Sequence, residues 1–305
     1  MNRFSLDLEP ASPFRLDLTV WALRRRPDNI VDRWDGETYR RVLVSESDQP
    51  FEIAVAQSDS KLQISVYGQT ENDALKNQVV CALERLLGIH IKLDGFYRLA
   101  EHDDKLGAVA EKFRGFKPPR LHSYFETLVN AIACQQFTLT MGIRLLNSLI
   151  ERYGLTFKND DGIFHAFPRP QELANADVED LRKMKFSYQK ARYITGLAQS
   201  IARGEVNLDE INAFDDANAI KRLCSLKGIG RWTAEYFLLR GLGRTHIFPA
   251  DDVGARNNLQ RWLNLPEKLN YETTRQAIHA WEEYGGLVYF HLLLKSLSEK
   301  EIIAQ

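Results

Sequence analysis

The sequence predicts an α+β protein, with a small N-terminal α/β domain (sheet plus helix) over residues 1–92 and an all-helical region over 93–305. Three observations predict it. Alternating apolar and polar residues, rich in Val, Ile and Phe, crowd the early part of the chain, the period-two pattern of half-buried strands. Near residue 93 that alternation stops, and apolar residues recur instead at spacings of three and four, as on helix faces. Hydrophobic residues make up 44% of the 305 and charged ones 27%, enough for buried cores in one large or two to three small domains.

Taken in order, FRLDLTVWAL (14–23), RRVLVSE (40–46), FEIAVAQ (51–57) and LQISVYG (62–68) read as strands, with SESDQP and AQSDSK as turns. NIVDRWDGETYR (29–40) holds a short helix or turn. Leu75, Val79, Ala82, Leu86 and Leu87 lie at helical spacing, so 72–89 is a helix across the sheet. Phe125, Leu128, Val129 and Ile132 start the helical region with a helix that runs into ACQQ. Residues 139–154 form another, ending at Gly154. After a proline-rich break, a short capped helix falls within 167–184, and further helices cover 188–205 and 213–226. The C-terminal third is helical as well, and no strand is expected beyond residue 93. No repeat or low-complexity linker separates the two regions, which are expected to pack together.

Several classes are set aside by composition. No apolar run approaches the ~20 residues of a membrane span. The opening MNRFSLDLEPASPF lacks the apolar stretch of a secretion signal, so a cytoplasmic protein is expected. Cys81, Cys134 and Cys224 are far apart with no C-x-x-C pair, which excludes a zinc ribbon or a four-cysteine iron–sulfur cluster within the chain. They read as small buried hydrophobes. The histidines show no ligand spacing, and no catalytic metal is expected. Net charge is −1 and the isoelectric point about 6.7, so any nucleic acid must be held by a local basic patch and backbone amides.

The informative stretch is LKGIGRWTAEYFLLRGLGRTHIFPADDVGARNNLQRWL (226–263). Gly228 and Gly230 let the backbone turn tightly and approach another surface, with Ile229 between them as an inward anchor. A helix follows at once, so free amides gather at its N-terminus, where a phosphate fits. Lys221, Arg222, Lys227, Arg231 and Arg240 flank the turn, opposed only by Glu235, and Arg182, Lys183, Lys185, Lys190 and Arg192 make a second basic cluster. A Gly-x-Gly turn also opens dinucleotide-binding helices, but no strand precedes Gly228. Downstream, Asp251 and Asp252 follow Pro249 and lead into a helix. They are either a helix cap with a solvated neighbour or a carboxylate facing a pocket between hairpin and helix.

L-K-G-I-G-R-W-T-A-E followed by P-x-D-D resembles the signature of the helix-hairpin-helix DNA glycosylase superfamily. FETLVNAIACQQ (125–136) and KFSYQKARYITGLAQ (185–199) are similar to its opening and middle helices. The likeness covers roughly 115–295, and the N-terminal α/β domain is of the type seen in 3-methyladenine DNA glycosylase II. The resemblance implies two helical subdomains with the active-site cleft between them. It implies Asp252 as the essential carboxylate and Asp251 as a cap or hydrogen-bond partner. Members that also nick the backbone carry a lysine where this chain has Trp232, so a monofunctional enzyme without lyase activity is implied. Trp232, Tyr236 and Phe290 would line the base pocket. Gln136 would wedge into the duplex, while Lys227, Gly228, Ile229, Gly230 and Arg231 would meet DNA. Backbone carbonyls of Cys224, Leu226 and Ile229 would hold a structural Na+ or K+, with no cofactor for catalysis. The implied partner is double-stranded DNA with a damaged base, bound by a monomer, and the implied substrates are alkylated purines. A glycosylase for deaminated or oxidised bases and a non-catalytic DNA-binding module remain the alternatives.

Overall fold

A computed structural model describes residues 2–303. The N-terminal strands are β1 (Arg3–Leu8), β2 (Arg33–Trp34), β3 (Thr38–Val44), β4 (Pro50–Ser58) and β5 (Lys61–Tyr67). They form one antiparallel sheet in the order β1-β5-β4-β3-β2. Helices α1 (Leu16–Arg24) and α2 (Asp73–Leu87) belong to the same part of the chain. Next come α3 (Asp94–Glu101), α4 (Asp104–Lys112), α5 (Tyr124–Cys134) and α6 (Leu139–Tyr153). A small hairpin, β6 (Thr156–Asn159) and β7 (Gly162–His165), interrupts the helices. After it come α7 (Pro170–Ala174), α8 (Val178–Lys183), α9 (Tyr188–Ala202), α10 (Asp216–Cys224) and α11 (Arg231–Phe237). Helices α12 (Val253–Leu263), α13 (Tyr271–Ala277) and α14 (Gly285–Glu299) complete the fold. Among the described residues no helix is long and apolar enough to cross a membrane.

Three expectations need correction. Residues 14–23 are not a strand: α1 occupies most of them, and Leu16, Leu18, Thr19, Val20, Ala22, Leu23 and Arg24 are all buried. A helix covered nearly all round loses its amphipathic period, so L-D-L-T-V imitates strand alternation. The missing edge strand is β1, where Phe4 is buried and Leu6 and Leu8 half-buried. Strands also recur beyond residue 93. The four-residue arms of β6–β7 flank Asp160–Asp161, and Phe157 packs with Val42 and Ala166 to fix the hairpin against the main sheet.

Helix α1 serves two cores. Leu16, Val20 and Leu23 pack under the sheet with α2, while Leu18 and Ala22 join the helical core. In return Leu121, Ala131 and Tyr236 of the helical region join the sheet core. The seam also buries charge. Arg41 of β3, 1% exposed, donates to Asp32 (2.7 Å) and to Glu126 of α5 (2.6 Å). Fully buried Arg240 donates to the carbonyls of Ala22 (2.9 Å) and Leu23 (3.2 Å), meeting the negative end of α1.

Candidate functional site

Helices α10 and α11 and the turn between them form the expected hairpin. Gly228 has φ +84°, and a Cβ there would lie 2.3 Å from the Tyr193 ring, so both backbone and space demand glycine. Ile229 is 6% exposed and anchors the turn inward. Gly230 caps α11 without a side chain, and a Cβ there would meet nothing within 4 Å. The start of α11 is therefore open beside Gly230, and α11 continues through a π-helical turn, Leu238–Leu242. Lys227 is exposed. Arg231 is exposed too, but its side chain is engaged: Nε donates to Asp251 at 2.8 Å, and the guanidinium lies over the Tyr271 ring at 3.6 Å.

The basic clusters are thinner than the sequence suggested. Arg240 is fully buried and turned toward α1, and Arg222 pairs with Glu210 at 2.8 Å. Glu235 does not oppose the turn's charge at the surface. It is buried, accepts from Tyr271 (2.8 Å) and the Ala250 amide (3.1 Å), and burial pushes its pKa up. Lys190 is also buried. Its Nζ donates to the carbonyls of Ala133 (3.0 Å) and Gln135 (2.6 Å) and lies 3.7 Å from the centre of the Phe137 ring. Burial pulls its pKa down to about 8.

These contacts lock the loop after α5. The Gln135 side chain donates to the Gly228 carbonyl (2.8 Å) and to the Thr233 hydroxyl (3.0 Å), tying the loop to the hairpin. Gln136 is exposed with φ +56°, a left-handed backbone in a non-glycine residue, the sort of strain that clusters at functional positions. Phe137 beside it is 42% exposed.

Asp252 directly precedes α12 and is half-buried. One oxygen accepts the Ala255 amide (2.8 Å) and the other the Trp232 indole N–H (3.1 Å). Asp252 itself, rather than Asp251, is the N-cap of α12, while Asp251 is the partner of Arg231. The cap that the sequence left open between the two acids is Asp252. The cap amide and the indole each fix one oxygen and leave its other lone pair free.

Trp232 stacks on Tyr236 with ring centres 5.7 Å apart. Phe290 does not face this site. It is fully buried against Phe116 (5.5 Å) and beneath Arg240, because it lies on the core side of α14. Its neighbour Tyr289 is half-buried and edge-on to Phe248 (5.9 Å), and burial first, then the Asp252 carboxylate and Tyr236, push its phenol well above the ordinary range.

Sequence reasoning also missed Arg25. It ends α1 in a left-handed conformation (φ 61°), is 6% exposed, and donates to Tyr236 Oη (3.0 Å) and Asn130 Oδ1 (2.5 Å). No local pattern marks a contact between residues 211 positions apart.

The cysteines are not the buried hydrophobes expected: Cys81 and Cys224 are exposed and Cys134 is half-buried. Among the described residues no cluster of His, Cys, Asp or Glu could hold a metal ion. The hairpin carbonyls are a different donor set. The Leu226 carbonyl accepts the Ile229 amide (3.2 Å), and carbonyl oxygens of this kind suit a hard cation.

A family model for HhH-GPD superfamily base excision DNA repair proteins matches residues 129–283. A DNA-3-methyladenine glycosylase of Bacillus subtilis is 27% identical over 252 residues, which cover 79% of this chain and 83% of the relative. DNA-3-methyladenine glycosylase 2 of Escherichia coli is 32% identical over 188 residues, covering 61% of this chain and 63% of the relative. The solved structure of a 3-methyladenine DNA glycosylase from Archaeoglobus fulgidus matches with a TM-score of 0.83 at 27% identity, covering 95% of this chain and 98% of that one.

Proposed function

With the chain belonging to the HhH-GPD superfamily of base excision DNA repair proteins, we propose that it is a monofunctional DNA glycosylase that removes alkylated purines, the 3-methyladenine and 7-methylguanine type, from duplex DNA. The observation that carries the reading is Asp252, half-buried and held at both oxygens by the Ala255 amide and the Trp232 indole. The names of the relatives similar to this chain support the substrate class.

In this reading the hairpin clamps backbone phosphate through the amides after Gly230, with Lys227 adding charge. The loop at Gln136 fills the space left by the flipped nucleotide, and the base stacks on Trp232 and Tyr236. A cationic alkylpurine gains ~0.5–2 kcal/mol from such rings. As the glycosidic bond lengthens, positive charge grows on the deoxyribose, and the fixed carboxylate of Asp252 stabilises it. The same carboxylate orients water for attack at C1′. Trp232 stands where lyase members carry their lysine, so no amine is supplied for a Schiff base. Carbonyls of Cys224, Leu226 and Ile229 would hold a Na+ or K+ that strengthens the phosphate clamp. The protein acts as a monomer on one bent duplex, in the cytoplasm or wherever its cell keeps DNA.

The test uses duplexes carrying single 3-methyladenine or 7-methylguanine, with base release and strand nicking scored separately. Wild type releases the base, and nicking follows only after alkali. Asp252→Asn loses ~10²–10³-fold in release rate with DNA binding retained. Equal release by both proteins removes Asp252 from the mechanism. Nicking without alkali refutes the monofunctional assignment. Binding without release from any lesion favours a non-catalytic module.

A further inference from the structure

Helix α11 grips the aspartate loop residue by residue. Arg231 meets Asp251 (2.8 Å), Trp232 meets Asp252 (3.1 Å), and Glu235 accepts from the Ala250 amide (3.1 Å). Arg231 and Glu235 lie one turn apart and share a helix face. The mechanism above uses only the grip at Trp232. The grip at Glu235 is of another kind, because it reaches backbone. The loop arrives from the core, with Ile247, Phe248 and Ala250 buried, and turns where the Asp252 amide donates to the Pro249 carbonyl (2.9 Å). Trp232 and the Ala255 amide set the direction of the Asp252 carboxylate. They act on the side chain, whereas the bond at Ala250 ties down the chain that leads into it.

Glu235 is itself braced. It is 3% exposed, and its second oxygen accepts from Tyr271 Oη (2.8 Å) at the start of α13. Burial pushes its pKa up, while Tyr271, Arg231 and the Ala250 amide pull it back, so the buried carboxylate is compensated. The Tyr271 phenol is pushed up to about 12 by burial and by that carboxylate, and it keeps the proton it donates. Its ring also lies under the Arg231 guanidinium at 3.6 Å. Tyr271 therefore supports the grips at Arg231 and Glu235 together. An error of about an ångström in placing a reacting group costs roughly a hundredfold in rate, so a brace on the backbone at Ala250 bears on the chemistry at Asp252.

We propose that Glu235, braced by Tyr271, is a positioning residue that fixes the backbone at Ala250 and thereby the place of the Asp252 carboxylate relative to the sugar of the flipped nucleotide. This rests on the glycosylase reading, in which that carboxylate acts at C1′. Glu235 is buried and meets no DNA in this reading, so its loss slows the chemical step and leaves binding alone.

The experiment uses full-length proteins. It measures single-turnover release of 7-methylguanine from a duplex, and the Kd for a duplex carrying a tetrahydrofuran abasic analogue. Tyr271→Phe keeps the ring under Arg231 and lowers the release rate roughly tenfold, the effect of losing one hydrogen bond to a charged group, with Kd unchanged. Glu235→Ala loses roughly a hundredfold, and Glu235→Gln, which still offers Ala250 an acceptor, recovers most of that loss. Each substitution is repeated in Asp252→Asn, where it costs less than about twofold, because no carboxylate is left to position. Equal fold-losses in the two backgrounds overturn the proposal, since a merely structural role adds independently. So does a Tyr271→Phe protein that releases base as fast as wild type, or one whose Kd weakens in step with its rate. If Glu235→Ala fails to fold, Tyr271→Phe in the two backgrounds decides. A wild type that releases no 7-methylguanine refutes the glycosylase reading itself.

Discussion

The hairpin turn at 224–231 and the end of α1 at 22–26 both bear on α11, but by opposite means. The hairpin offers backbone: an open approach at Gly230, a turn that only Gly228 can make, one buried anchor at Ile229. The end of α1 offers a side chain, Arg25, carried on a buried helix and directed across the seam. A backbone device must be written in consecutive residues, since neighbouring φ angles and missing side chains make it. A side-chain device needs only one residue in the right place and can be assembled from anywhere in the chain. The hairpin is therefore a local motif and the seam a property of the whole fold.

That contrast predicts different failures. The largest effect falls on the seam. Arg41→Met leaves Asp32 and Glu126 buried without their cation and lowers stability by ~3–5 kcal/mol, read from urea unfolding. Both lobes should unfold together, because Arg41 joins β3 to α5. Two separate transitions would break the picture of a single packed seam. Gly228→Ala is a smaller and local injury. It forces φ +84° on a residue with a Cβ and drives that Cβ toward Tyr193, at ~1–3 kcal/mol. Its DNA affinity should fall while the unfolding transition stays single. A variant that binds DNA as tightly as wild type would show that the turn is not the clamp.

The same contrast explains what could be read from the sequence. The hairpin, the paired aspartates, the break at Gly154 and strands β3 to β5 all rest on residues close in sequence. Misreadings arose where tertiary burial replaced local pattern. Helix α1 looked like a strand because nearly every face is covered. Phe290 could not be placed, since which side of α14 turns into the core depends on how the whole helix docks. Lys190 and Arg240 were counted as surface charge although both are buried. Which of Asp251 and Asp252 caps α12 was settled only by seeing which carboxylate the Ala255 amide meets. Arg25, 211 positions from its partner, left no trace a linear reading could find.

Lys190 gives the smallest effect, and a distinctive one. Its ammonium is buried beneath Phe137 and holds the carbonyls of Ala133 and Gln135, and burial lowers its pKa to about 8. In the unfolded chain a lysine keeps its proton to about pH 10.4. Below pH 8 both states are protonated, and the cost of the buried ammonium is borne in full. Between about 8 and 10.4 the unfolded chain binds up to about one more proton than the folded one, so this residue's contribution to stability rises with pH. Lys190→Met should remove that rise, seen as a flatter plot of urea midpoint against pH relative to wild type. The loop should respond in the opposite sense. Once neutral, Lys190 loses its attraction to the Phe137 ring and donates more weakly to the two carbonyls, so the loop at Gln136 loosens as the fold gains stability. Amide exchange at residues 135–138, corrected for its intrinsic pH dependence, should then lose protection from pH 7.5 to 9 in wild type and not in Lys190→Met. Identical pH profiles for the two proteins would mean that Lys190 titrates as a solvated lysine and that the loop is held by the Gln135 side chain alone.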